Sequence, residues 1–234
     1  MKRIILILLI VLSSCKTIGI QKQMYNQVEL ATIGSTKNKF IKEFQTNAIP
    51  KLTTKIRLGI SLKEFTKSSF KSFQQANKQL GKSSNLNYID SLEVKPKYIN
   101  LVIIDKLNLL NNFNNSKNKH TINYLKTSNN LKIVTEIELV FPKNIEKDLL
   151  KAEDIFLTQD KNHKYAIEIS TNKTTQTIPF SKATIFNYKT NIPCWGINDN
   201  HIIILADINN KCSKNTYNSF HKAKKKNELH FIKL

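Results

Sequence analysis

Arginine is almost missing from this chain: only Arg3 and Arg57 stand among its 37 basic residues. Nucleic-acid and phosphate sites draw on the bidentate guanidinium fork, so a basic surface built from lysine disfavours nucleic acid as a partner. Glycine is scarce too, five in 234 residues, which leaves little material for a glycine-rich nucleotide cradle. The five histidines, His120, His163, His201, His221 and His230, fall in no HExxH or other paired zinc spacing, and neither GxSxG nor a phosphate loop occurs. The apolar run at the start of the chain, Ile4 to Leu12, has nine residues, far short of the roughly 20 that a bilayer core requires. Acidic residues number 17 against the 37 basic ones, a formal charge of +20. Such an excess favours anionic lipid, lipopolysaccharide or nucleic acid in general. The abundance of lysine, asparagine and isoleucine assigns most of it instead to codon bias on a solvated surface.

What is present begins with an address. Lys2 and Arg3 precede the nine-residue apolar run, which ends in Leu12-Ser13-Ser14-Cys15, the order of charge, apolar core and small residues expected of a signal peptide. These four positions match the lipobox, and on them the chain resembles the bacterial membrane lipoproteins. The resemblance implies cleavage before Cys15, a diacylglyceryl thioether on Cys15 and acylation of its new amino group. Two or three acyl chains anchor stably where one does not. Lys16 is not the aspartate tied to inner-membrane retention, and Lys16 to Gln23 carries no acidic export signal. The resemblance therefore favours an outer-membrane position facing the periplasm, with the cell surface as the alternative. An exported chain meets oxidising conditions, which makes a disulfide between Cys194 and Cys212 the default.

The organisation expected is a signal peptide at 1–14, a lipid-anchored tether at 15–29, a helical region at 30–95 and an antiparallel β-rich region at 96–234. The fold class is α+β, with N-terminal helices followed by an antiparallel β-meander and a short C-terminal helix. Hydrophobic content of 40% with twelve Phe argues for a folded core. Gly34 to Phe40 and Gly59 to Phe65 each read as a glycine turn, a hydroxyl N-cap and an aromatic on the first helical turn. In the second, Ser61 and Glu64 suit a capping box and Ile60 and Phe65 a hydrophobic staple. This predicts a helix over Leu62 to Leu80, with Leu62, Phe65, Phe73, Ala76 and Leu80 on one face, stopped by Gly81. The stretch from Gly34 to Pro50 is also similar to the opening of the small outer-membrane lipoproteins that assist β-barrel assembly, though capping chemistry alone produces the same pattern.

Beyond Tyr98 the period becomes that of strands. Tyr98–Ile104 reads as a strand buried on both faces, and Asp105 caps a short helix over Lys106 to Phe113. Nine of the 23 residues from Asn108 to Asn130 are asparagine, read as a surface segment enriched by codon drift. Leu131–Phe141 alternates most clearly. Ile155–Leu157, Tyr165–Ile169, Thr177–Phe180, Ala183–Tyr188 and His201–Ile208 continue the meander. Asn215 is expected to cap a helix holding Tyr217 and Phe220, and Leu229 to Leu234 to return to the sheet edge.

Candidate site residues are few. Cys194, His201, Cys212 and His221 could be posed as metal ligands, but their separations lack close ligand pairs. Trp195, the sole tryptophan, suits either a stacking surface or a core packed on the disulfide. Glu136 and Glu138 pose as paired carboxylates for glycosidic chemistry, with neighbouring lysines and the polar face of a sheet as the plainer account. Lys222, Lys224, Lys225 and Lys226 form the densest basic run, suited to anionic headgroups or to complementing a helix end. No cofactor is expected. The function expected is a lipid-anchored, non-enzymatic envelope protein that binds or assembles an envelope protein or anionic glycolipid. A hydrolase of envelope polymers and an inhibitor or immunity-type lipoprotein are the alternatives.

Overall fold

The computed structural model describes residues 27–36, 44–91, 93–171 and 174–231, the side chains of 229–231 excepted. Cys15 and the lipobox positions, the expected tether as far as Asn26, and Lys37 to Phe40 of the first expected helix lie outside the described residues; the tether's end is corrected, since Val28 already belongs to the main core. Ten strands form the sheet: β1 (Ile33–Thr36), β2 (Phe44–Ala48), β3 (Ile56–Glu64), β4 (Lys97–Ile103), β5 (Lys132–Val140), β6 (Asp154–Gln159), β7 (Tyr165–Thr171), β8 (Thr174–Pro179), β9 (Thr184–Ile197) and β10 (Ile203–Asn209). Five helices lie among them: α1 (Lys67–Leu80), α2 (Lys106–Asn114), α3 (Lys119–Lys126), α4 (Lys143–Lys151) and α5 (Phe220–Phe231). The spatial order is β10-β9-β5-β4-β3-β6-β7-β8, with β1 paired to both β5 and β2, and every pairing is antiparallel.

The expected fold, helices first and a meander after, is therefore corrected. Residues 30–95 hold three strands and one helix, and four helices interrupt the sheet; of the expected helices, the one capped by Asp105 is present as α2 and a C-terminal one as α5, which starts at Phe220 and continues to Phe231 where a return to the sheet edge was expected. The decisive misreading is at Ser61. Residues 58–64 pair along their whole length with β4, Leu58 opposite Ile103 and Glu64 opposite Lys97, so they are strand. The capping chemistry is real but lies five residues on. Thr66 accepts from the backbone N–H of Ser69, and Ser69 Oγ accepts from that of Thr66. Phe65 at N′ packs edge-on against Phe70 at N4, ring centroids 5.4 Å apart, as a hydrophobic staple does. Gly81 ends α1 in the left-handed region at φ 66°, as expected.

Alternation along the central strands puts a separate apolar cluster on each face. Ile99, Leu101, Ile137, Leu139 and Ile185 belong to the main core, together with Leu109 and Phe113 of α2 and Leu149 of α4. Tyr98, Val140 and Phe186, on the opposite face, meet Phe65, Phe70 and Phe73 around α1. Gly34 is required by close approach: a Cβ there would collide with the Gln45 carbonyl and the Phe44 ring of β2.

β9 runs nine residues beyond its expected end at Tyr188. Its first half pairs with β5 and its second with β10. The polar Lys189-Thr190-Asn191 at this change of partner breaks the alternation that sequence reading depends on. The asparagine-rich stretch is corrected in part: Asn111, Asn123, Asn129 and Asn130 are exposed as a surface segment requires, but three others are structural. Asn112 and Asn118 are buried, and Asn118 both accepts from Lys51 N at 2.8 Å and donates to Lys51 O at 2.8 Å. Asn114 does the same with the N and O of Leu205 on β10. Each amide carries a donor and an acceptor, as a peptide unit does, and stands in for a missing strand neighbour.

Before β1, burial pushes the Glu29 carboxyl up to about 7, against the opposing pull of Lys164. The unfolded carboxyl ionises near 4.5 while the folded one keeps its proton, so stability falls between pH 4.5 and about 7 and is fully retained below that window. Glu29→Gln is expected to abolish this fall. It should raise stability at pH 8 by about 2 kcal/mol, allowing for partial exposure, and leave pH 4 unchanged, as urea denaturation at the two pH values will show.

Candidate functional site

Two polar features stand out, one on the sheet and one at its edge. On the α1 side of the sheet, Lys63 of β3 lies 3.3 Å from Glu136 and 3.5 Å from Glu138 of β5, and Lys189 of β9 lies 2.9 Å from Glu136. Glu138 is buried and also accepts from Tyr98 Oη at 3.2 Å and Asn187 Nδ2 at 2.8 Å. Burial and the Glu138 carboxylate push the Tyr98 hydroxyl up to about 12. Burial would raise the Glu136 carboxyl, but Lys189 and Lys63 outweigh it and hold it below its ordinary value. A general acid for glycosidic cleavage needs the reverse shift. The two glutamates tie four strands together instead, β3, β4, β5 and β9.

The second feature is a cleft of about 890 Å³ where the C-terminal end of α1 meets the ends of β5 and β9 and the first turn of α4. Its apolar wall is Phe73, Leu86, Val140 and Phe141. Asn77, on the last turns of α1, lines it at 6% exposure. The Asn77 Oδ1 accepts from Thr184 Oγ1 at 2.8 Å, which ties the last turns of α1 to the start of β9. Lys82 bridges the cleft's base, donating to the carbonyls of Ser181 at 3.1 Å and Ala183 at 2.7 Å, and burial lowers its pKa. Lys97, Lys143 and Lys182 stand exposed around the cleft, and no ion pair holds any of them. Pro142, the N-cap of α4, offers no capping side chain, so the first-turn N–H groups are open toward an acceptor. Glu146, on the first turn of α4, is the one carboxylate in the cleft lining, and the four lysines outnumber it; their ammoniums and the helix N–H groups are donors that together suit an anion.

The residues singled out in sequence lie elsewhere. Cys194 and Cys212 form a disulfide with Cα atoms 5.5 Å apart, which withdraws both thiols from the posed metal set. Among the described residues no three His, Cys, Asp or Glu side chains gather as a metal centre would need. Closing the loop between the two cysteines, 18 positions apart in sequence, is worth about 3 kcal/mol in the chain-entropy model. Trp195 is 1% exposed and packs edge-on against Phe220 at 5.3 Å, so of its two readings the core position is the one observed and a stacking surface is not. Lys222, Lys224, Lys225 and Lys226 are exposed on α5, with Lys224 3.8 Å from Glu228. Tyr217 was expected within the C-terminal helix, but it bridges to Trp195 through N–H···O bonds of 2.7 and 2.8 Å, and α5 begins only at Phe220. Residues 232–234 lie outside the described part.

The cleft residues went unremarked in sequence because they come from five separate segments with no shared spacing. Asn77, on the buried face of a helix otherwise lined by Phe and Ala, was the one local signal. Among the described residues no helix is long and apolar enough to cross a membrane. No family model, curated protein or solved structure matches the chain.

Proposed function

We propose that this is a lipid-anchored envelope protein that binds a ligand without transforming it, and that the cleft beside α1 is its binding site. The observation that carries the reading is the convergence of three exposed lysines, Lys97, Lys143 and Lys182, none ion-paired among the described residues, with a helix start that has no capping side chain, on one half-apolar cleft. Donors of this kind hold an anion in place, and the carboxylate pair that might have done chemistry is occupied by lysines elsewhere on the sheet. The lipobox supports the anchor, and an outer-membrane position facing the periplasm remains the favoured side.

Replacing Cys15 by serine is expected to abolish incorporation of an alkyne-tagged fatty acid and to move the protein from the membrane to the soluble or unprocessed fraction. Normal processing and membrane retention of Cys15→Ser would sink the anchor. Reproducible release of product from purified envelope polymers by the full lipidated protein in detergent would overturn the binding role.

A further inference from the structure

Resting on that reading, the geometry points to an extended acidic segment of a partner protein as the ligand of the cleft. The cleft does not end at Asn77. A second hollow of about 320 Å³ shares Phe73, Asn77 and Leu86 with it, and a third of about 590 Å³ shares Phe70 and Gln74 with the second. Together they make an open trough between α1 and the irregular segment 82–90. An acyl chain is held by enclosure, and this trough is open along its length, so a lipid tail gains little there.

Three features of the trough match a peptide. Lys67, Lys71 and Lys78 line its outer part and Lys97, Lys143 and Lys182 its inner part, against one carboxylate in each, Asp90 and Glu146, and this excess provides for successive carboxylates along an extended chain. Segment 83–90 runs beside it without strand or helix partners. Among its main-chain groups the Leu86 N–H is held by Ser84 Oγ; an added extended chain can pair with the others in the manner of strand addition. The apolar wall of Phe73, Leu86, Val140 and Phe141 receives alternate, apolar side chains. Charge complementarity along this lysine-lined trough selects an acidic partner.

The test uses the full lipidated protein in neutral detergent micelles and a fluorescein-labelled peptide of alternating glutamate and leucine, read by anisotropy. Binding is expected, and Lys97→Glu with Lys143→Glu is expected to weaken it at least about tenfold. Lys225→Glu with Lys226→Glu on α5, an equal change of charge, should weaken it less than about threefold. Thermal unfolding of each variant checks that it is folded. Equal weakening by both pairs would reduce the effect to net charge and overturn the site. Displacement of the peptide by equimolar dihexanoyl-phosphatidylglycerol would assign the trough to a lipid headgroup and overturn the ligand. Absence of peptide binding by the folded parent protein would also overturn the ligand, while leaving the tethered binding role to stand or fall on its own tests.

Discussion

Trp195→Ala is expected to cost about 4 kcal/mol, within the range for emptying a buried aromatic site. The indole is 1% exposed, lies opposite Leu205 on β10 and packs edge-on against Phe220 of α5. Its main chain exchanges two hydrogen bonds with Tyr217, so the strand and the segment leading to α5 are joined at one residue. Phe220 in turn carries the Lys126 ammonium of α3 at 4.8 Å from its ring centroid. Truncation leaves the disulfide and the Tyr217 bonds in place but removes the surface that holds α5. The loss should therefore appear twice: as reduced stability in urea, and as faster amide exchange in α5 ahead of the rest. Trp195→Phe keeps most of the contact and should cost about half as much. A stability unchanged by Trp195→Ala would mean that α5 is held by other contacts.

Asn112→Ala is expected to cost about 3 kcal/mol and to lower Tm by about 10 °C. The side chain is fully buried. Its Oδ1 accepts from the N–H groups of Thr53 at 2.6 Å and Thr54 at 3.1 Å, and its Nδ2 donates to Thr54 O at 3.1 Å and Asn108 O at 2.8 Å. The segment entering β3 has no strand partner there, and this amide replaces one. Alanine strips four hydrogen bonds from partly buried groups, each worth about 1 kcal/mol net, with water recovering part. Asn112→Asp is the sharper test. It keeps the shape but turns Nδ2 into an oxygen facing two carbonyls, so at pH 7 it should be worse than alanine, with part of the loss regained at pH 4 as the carboxyl protonates. Urea denaturation of the two variants at both pH values measures this. An aspartate as stable as asparagine at pH 7 would show that the Nδ2 bonds contribute nothing.

The two results draw on residues that sequence reading treated very differently. Trp195 was noticed because it is alone and adjoins a cysteine, yet its two readings, surface and core, stayed open until Phe220 and Tyr217 were seen against it. Asn112 was set aside as one asparagine among many. Composition cannot separate an asparagine that faces water from one that replaces a peptide unit, since the difference lies in a segment nearly sixty residues away. The lysines around the cleft escaped notice for a related reason: in a chain this rich in lysine, no single one announces itself.

By itself the sequence determined what depends on neighbours along the chain. That covers the continuous apolar run of β4, the alternation of β5, the Asp105 cap of α2, the Gly81 stop of α1, and the pairing of two cysteines. It also supplied the lipobox, whose four positions are consecutive. Only the tertiary structure decided between equally good local signals. Ser61 offered a helix cap, but β4's need for a partner turned it into strand, and the cap formed at Thr66. Tertiary structure likewise carried β9 past its polar middle by giving it a second partner, β10. It alone gathered Asn77, Lys97, Lys143 and Lys182 around one cleft. Backbone hydrogen bonds between distant strands and the packing of two clusters on opposite faces of one sheet are long-range quantities, and a periodicity confined to a few residues holds no record of them.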